Sequence, residues 1–560
     1  MKVRFRTGAE GDGNGPGGRA APMPSDVTTG SIPFTQEVLD RHRARVLRGS
    51  EAVLVPGQEP PRSTAYRTDV LLFTQRVIDD ADTMRVVDEV LAPAGIQVQP
   101  PPDPERILGR PLAESRHLTT VPRPVRLRLR KDAPPGVVDA WTALQLLRGA
   151  AARGTLSEDV LTQVGLEHLL VGSACTGAGA APIGGVNVAT EGSGVPGGIG
   201  SYSRAGFGGR VPVDVVLTPP LRRDAREIVG GRRVVAVLDS GLQTHLPGWI
   251  DISEQADGQD TFATVDTSLQ HAVAAVSAAD PDAGAPVISG PWDSPYTEEP
   301  LVGEVATHYG HGTFIAGIVR QVAPDAQVRS TRVMHSDGVV EEGTLLAALH
   351  LLAADVEAAV QAGKPRPVDV LSLSLGYFDE GPPDEVTPLL AGIIGELAAL
   401  GVAVVAAAGN FATSRRFYPA AFSELVTVEG SVPVLGVGAL NPNGTVALFS
   451  DDGTWVNCWA TGSAVVSTFP TIPSGSAQAA NAPEHLTAGL ARETLDPDDF
   501  TSGFAVWSGT SFATPVVAAK LALALQHGVD DPAVGVDVHD PAGVLAKVVA
   551  AVVASGGGGS

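Results

Sequence analysis

Cysteine is nearly missing from this chain: Cys175 and Cys458 are the only two among 560 residues. Two cysteines cannot build the disulfide framework of a secreted scaffold, and they favour a reducing compartment. The beginning, MKVRFRTGAEGDGNGPGG, has basic residues with no apolar core after them, so no standard secretory leader is expected, and the expected location is cytoplasmic. No apolar run stands out as long enough for a membrane span, so no membrane partner is expected. Positive charge is scarce as well: 39 Lys+Arg face 62 Asp+Glu, a formal net charge of -23. So acidic a chain is a poor partner for nucleic acid.

The charge is also uneven. Residues 1–150 hold 21 Lys+Arg and 18 Asp+Glu, which leaves 18 and 44 for the remainder. Ordinary surface solvation accounts for that, and so does attraction between two parts of one chain.

The length suggests more than one domain. Residues 1–30 are rich in Gly and Pro and read as disordered. A compact pattern follows over 31–170: a strand at 68–75, a helix at 79–95 ending on Gly95, strands at 96–100 and 123–130, and a helix at 134–154 opening on proline. The order β-α-β-β-α suggests a split, ferredoxin-like α+β module. Residues 171–210 are dense in glycine and read as a linker; they lack the flanking strand and helix of a phosphate-binding fingerprint. The final 555–560, GGGGS-like, resemble an added linker and stand outside the fold.

From 211 to 554 the character is α/β. Apolar β-branched runs recur at 233–239, 368–376, 402–410 and 432–440, with helical stretches such as 343–363 and 386–401 between them. Continuous runs of this kind suit strands buried on both faces of a parallel sheet between helices. Functional residues in such folds collect at the carboxyl ends of the strands.

At those ends stand four residue types that together make a chemistry. The first run stops on Asp239, the third on Asn410; His311 opens an apolar helix in HYGHGTFIAG, and Ser511 opens another in WSGTSFATP, with Pro515 early in it. Each alone has a plain reading: a strand-end carboxylate, a turn asparagine, a structural histidine, a helix cap. His308, His350 and His527 keep that plain reading. Together, Ser511 needs a base and His311 titrates in the right range. Asp239 would orient the imidazole, and Asn410 and the Ser511 N–H would hold an oxyanion.

The segments VAVLDSG, HGTFIAG, AAAGN and GTSFATP, in that order, resemble the subtilisin-like serine peptidases. The resemblance spans about 211–554. It implies a subtilisin-like three-layer α/β domain, a serine endopeptidase acting on polypeptide, and no required cofactor. It also implies a primary pocket between two walls, Ser374, Leu375, Gly376 and Ala407, Ala408, Gly409. Those walls carry no charge, so a large apolar residue is expected before the cut bond, with Arg415 and Arg416 near enough to reach the pocket. Many relatives carry a ferredoxin-like prodomain that inhibits the enzyme, which fits 31–170 in position. A self-made cut within 171–215 is then expected, with Tyr202 and Phe207 as apolar side chains on offer. DSGLQTHLPGW shows no calcium-ligand pattern, and DPDAGAP (280–286) reads better as a solvated loop than as a calcium site, so no metal ligand is named. The competing reading is a catalytically silent scaffold on the same fold, which the complete set of motifs weighs against. Gly-x-Ser-x-Gly, the elbow of the α/β-hydrolases, is not what surrounds Ser511.

Overall fold

The computed structural model describes residues 3–5, 34–99, 101–174, 210–243, 248–254, 260–279, 286–295, 297–299, 304–382, 388–424, 434–472, 480–481, 492–493 and 499–530. Of the expected linker 171–210, residues 175–209 lie outside them, as do the tail 555–560, most of DPDAGAP and the bulk of residues 1–30, whereas Val171 and Gly172 end a strand and are not linker.

Within the strand Val234–Asp239, Val235 and Val237 feed one hydrophobic cluster while Ala236 and Leu238 feed another. Val404 and Ala406 alternate with Ala403 and Val405 in the same way. A strand's side chains point to opposite faces, so an uninterrupted apolar run demands cover on both. The cover is helical. Thr267–Ser277, Glu342–Gln361 and Pro388–Ala399 lie on one side, and His311–Val322 and Thr510–Asp530 on the other.

The sheet has nine strands among the described residues. In spatial order they are Val3–Phe5, Cys458–Thr461, Leu435–Leu440, Ala403–Ala407, Val370–Leu373, Val234–Asp239, Gln327–Arg332, Ala263–Val265 and Ile252–Glu254. Every neighbouring pair is parallel except the first, where Val3 opposes Ala460 and Phe5 opposes Cys458. Residues 3–5 are therefore an edge strand and not part of a disordered leader. Val3 packs against the apolar cluster and gives the segment something to bury.

Residues 34–174 form an antiparallel sheet in the order Ile96–Gln99, Pro122–Leu129, Thr64–Thr74, Val164–Gly172, with Ala44–Leu47 also pairing Thr64–Thr74. Helices Ala81–Leu91 and Ala140–Ala152 cover one face through Val87, Leu91, Trp141, Leu144 and Leu147. From the other face Leu72 and Leu170 enter the core that holds Glu342–Gln361. The second helix begins at Ala140, later than the proline pair at 134 suggests, because the Asp139 side chain accepts from Thr142 N and caps it there. The sequence pattern stops at that helix; the structure adds the strand Val164–Gly172, which runs on into the larger domain. There Val339–Glu341 pairs with it on one side and Leu375–Gly376 on the other, both antiparallel.

Glu342–Gln361 is, after all, long and apolar enough to cross a membrane by length and composition. Residues 342–354 of it are buried in the core, so its apolarity is already used.

Candidate active site

Strand ends bring the expected residues to one edge of the sheet. Asp239 ends its strand, Ser374 follows Val370–Leu373, and Gly409 and Asn410 follow Ala403–Ala407. His311 and Ser511 stand at the starts of their helices. The approach of the histidine helix depends on glycine. A Cβ on Gly312 would run into the carbonyl of Gly241, just past Asp239.

His311 Nδ1–H donates to Asp239 Oδ1 at 2.7 Å, and both side chains are buried. Ser240 N donates to the same oxygen. The Ser511 hydroxyl donates to the Ser374 carbonyl at 3.1 Å, and among the described residues His311 Nε2 has no hydrogen-bond partner. Asn410 Oδ1 accepts from Thr510 N and Thr510 Oγ1, both at 2.9 Å, which fixes the amide so that Nδ2, without a partner among the described residues, is the free end. Thr510 Oγ1 in turn accepts from Gly409 N.

Pro515 lies deeper in its helix than the first turn, since the helix begins at Thr510. It cannot donate to the carbonyl of Ser511 four residues back. The Ser374 hydroxyl does so instead, at 3.0 Å.

The cleft is occupied by the chain itself. Gly172 and Val171 pair antiparallel with Leu375 and Gly376. Ser173 N donates to the Ser374 carbonyl at 3.0 Å, and the Ser173 carbonyl accepts from Ser511 N at 3.0 Å. A backbone carbonyl on the N–H of a candidate nucleophile stands where an oxyanion would develop.

Three residues without a sequence signal shape the site. Asp293 accepts from Gly310 N at 2.7 Å and from the Ser240 hydroxyl at 2.9 Å, bracing both sides of the Asp239–His311 pair; burial pushes its carboxyl up to about 6. Asp451 accepts from Phe411 N and Thr413 N and so holds the loop after Asn410, its own carboxyl raised well above the usual range by burial. His308, given a plain structural reading above, donates from Nε2 to the Gly172 carbonyl at 3.0 Å, its ring 5.4 Å from that of His311. An isolated acid in a loop, or a second histidine, carries no spacing that singles it out.

Both expected wall segments lie among the described residues, and the ring of Phe417 stands against each. The ring of Phe417 lies so close to Gly376 that a Cβ there would overlap it, and a Cβ on Gly409 would sit 3.2 Å from it. Arg415 is tied to the carbonyls of Ser63 and Asp379, and Arg416 to Glu424, so neither is free to enter.

Among the described residues two clusters offer metal-ligand types: His42, His335 and Glu341, and His168, Asp379 and Glu380. In each, the histidine from the smaller domain is flanked by carboxylates on both ring nitrogens, the surroundings of an imidazolium. His42 meets Asp337 at 2.9 Å and Glu341 at 3.2 Å; His168 meets Glu342 at 2.6 Å and Glu380 at 2.7 Å.

The profile of the Subtilase family matches residues 230–534, more than half of the chain, and the chain belongs to that family. It is similar to a thermophilic serine proteinase of Bacillus sp. (strain AK1), 27% identical over 290 residues, which is 50% of this chain and 55% of that protein. It is similar also to subtilisin DY of Bacillus licheniformis, 32% identical over 174 residues, 29% of this chain and 54% of that one. The chain thus spans a little over half the length of these relatives. Among solved structures, a serine-to-alanine mutant of the protease domain of PatA aligns over 56% of this chain and 84% of that chain at 20% identity. Its TM-score is 0.31, too low to bear on the fold.

Proposed function

We propose that this chain is a serine endopeptidase held in check by its own residues 34–173, and that the bond it presents to itself is Ser173–Ala174. What supports this most directly is the Ser173 carbonyl on Ser511 N, at the end of a strand paired along the cleft. Ser511 Oγ attacks that carbonyl carbon as His311 Nε2 takes its proton. Asp239 holds the tautomer with Nδ1–H and stabilises the imidazolium. Ser511 N–H and Asn410 Nδ2–H steady the oxyanion. The C–N bond breaks, the Ala174 amine leaves with the proton from His311, and water releases Ser173 from the acyl-enzyme. For this the Ser511 hydroxyl must turn from the Ser374 carbonyl to His311.

After the cut, the smaller domain is retained by its strand pairing and by ion pairs of consistent sign. Arg41 and His42 meet Asp337, Arg110 meets Asp355, Arg116 meets Glu357 and Glu396, and His168 meets Glu342 and Glu380. These pairs support the reading of the uneven charge as a basic-on-acidic attraction. The rival reading, a silent scaffold, draws on the Ser511 hydroxyl bonding Ser374 and not His311. Intact masses of wild type and Ser511→Ala, with fluorophosphonate labelling of both, decide between them. The peptidase reading expects, in wild type only, a break after Ser173 and a label on Ser511 once the fragment 34–173 is released. An uncut, unlabelled wild type overturns it.

A further inference from the structure

We propose that this cleft selects glycine followed by a small residue immediately before the cut bond, with His308 and Phe417 as the specificity-determining residues. The inference rests on the peptidase reading above and names its substrate class.

His308 fills the position beside Gly172. A Cβ on Gly172 would lie 2.6 Å from His308 Cδ2, 2.8 Å from Nε2 and 3.0 Å from Met334 Cε. A methionine tip can swing away, but the imidazole cannot. Its Nε2 donates to Gly172 O, its Nδ1 faces the Thr307 hydroxyl at 3.0 Å, and its backbone N donates to Ser336 O. Behind it, Gly338 packs so closely that a Cβ there would overlap the ring. Burial pushes His308 down to about 3, with His311 adding to the effect, so the ring is a neutral, fixed wall. Any side chain in place of glycine must lift the strand, and lifting it breaks the bond between Ser173 O and Ser511 N, at the very next residue. A displacement of about 1 Å at a reacting group costs on the order of 10²-fold in rate.

Phe417 acts one position later. Its ring is wholly buried between the walls carrying Gly376 and Gly409 and is locked by Phe378 and Phe411, with ring centroids 5.1 and 5.6 Å away. With that ring against both walls, this position is assigned a small side chain, such as the hydroxymethyl of the buried Ser173, in preference to a second ring. This assignment differs from the large apolar residue that the walls alone suggest.

The test uses the full chain in two ways. In active chains, self-processing after residue 173 is followed by intact mass. Gly172→Ala is expected to slow it about 10²-fold, and adding His308→Ala to recover most of that loss; Ser173→Phe is expected to block it, and adding Phe417→Ala to relieve the block. In the Ser511→Ala background, where no bond is cut, Gly172→Ala and Ser173→Phe are each expected to lower the melting temperature of the smaller domain, with the same second substitutions restoring it. This arm reads the fit of the strand whether or not the chain is a peptidase, so a failure of catalysis leaves it decisive. Unchanged melting and unchanged processing in Gly172→Ala, or no recovery with His308→Ala, overturns the proposal.

Discussion

Ser374 and Ser511 are bonded to each other twice: the Ser374 hydroxyl donates to the Ser511 carbonyl at 3.0 Å, and the Ser511 hydroxyl donates to the Ser374 carbonyl at 3.1 Å. The first bond exists because Pro515 cannot serve that carbonyl. A buried acceptor left without a donor costs about 1–3 kcal/mol. Ser374→Ala is therefore expected to lose stability in that range by denaturant titration. Ser374→Thr, which keeps the hydroxyl, should lose less; equal stability of all three proteins would refute the account of Pro515.

Ser511→Ala and His311→Ala are expected to abolish nearly all peptide hydrolysis while leaving the melting transition in place. Subtilisin supplies the scale, about 10⁶-fold in turnover. Asn410→Ala is expected to cost on the order of 10²–10³-fold, again the loss known from subtilisin, with substrate affinity changing less. Burst and steady-state kinetics on one peptide read both. Full activity in any one of the three variants removes that residue from the mechanism.

Gly312→Ala tests how His311 is brought to Asp239. The added Cβ meets the Gly241 carbonyl, a backbone atom that cannot swing aside, so the helix start must shift. A shift of about 1 Å predicts a loss near 10²-fold in turnover. Crystallography of the variant should show the bond from His311 Nδ1 to Asp239 Oδ1 lengthened; an unchanged bond with unchanged rate would contradict the argument.

Much of this site is legible in the chain, and the reason is local. Asp239, His311, Asn410 and Ser511 each sit where an apolar run stops or starts, so periodicity marks the place and residue type marks the chemistry. What the chain does not reveal depends on contacts between distant segments. Phe417 is an apolar residue in a turn-rich stretch, and only the fold brings its ring between Gly376 and Gly409. His308 looks like any histidine near a helix until Gly172, from the other domain, is laid against it. Residues 3–5 are too short to show a period and become a strand only because Cys458–Ala460 offers an edge. The start at Ala140 is hidden because Asp139, not the proline pair, caps the helix.

The last prediction concerns release of the smaller domain. Burial alone would depress His42, but its hydrogen bonds to Asp337 and Glu341 outweigh that and raise it to about 9, with Arg41 also on Asp337 and the His335 ring 5.0 Å away. His168 is likewise opposed by burial and held well above its ordinary value by Glu342 and Glu380, with Arg148 beside Glu380 and Tyr377 stacked on the ring. A histidine whose value is raised on docking favours docking fully below about 6.5, its free value. That contribution is lost as pH climbs through about 9 for His42, and likewise through the raised value of His168. Asp337 and Glu341 are held well below the carboxylate range despite burial, so their share fails only in acid. Retention should thus be strongest in mildly acidic solution and weaken steadily toward alkaline pH. Salt should loosen the exposed pair Arg116–Glu396 most, and so lower retention between about 0.05 M and 1 M. Size-exclusion chromatography of the processed protein, scoring how much of the fragment ending at Ser173 co-elutes with the remainder, follows both effects. His42→Gln and His168→Gln, which hydrogen-bond without titrating, should flatten the pH profile. A profile equally flat in the unsubstituted protein would mean the two imidazoles do not hold the domains together.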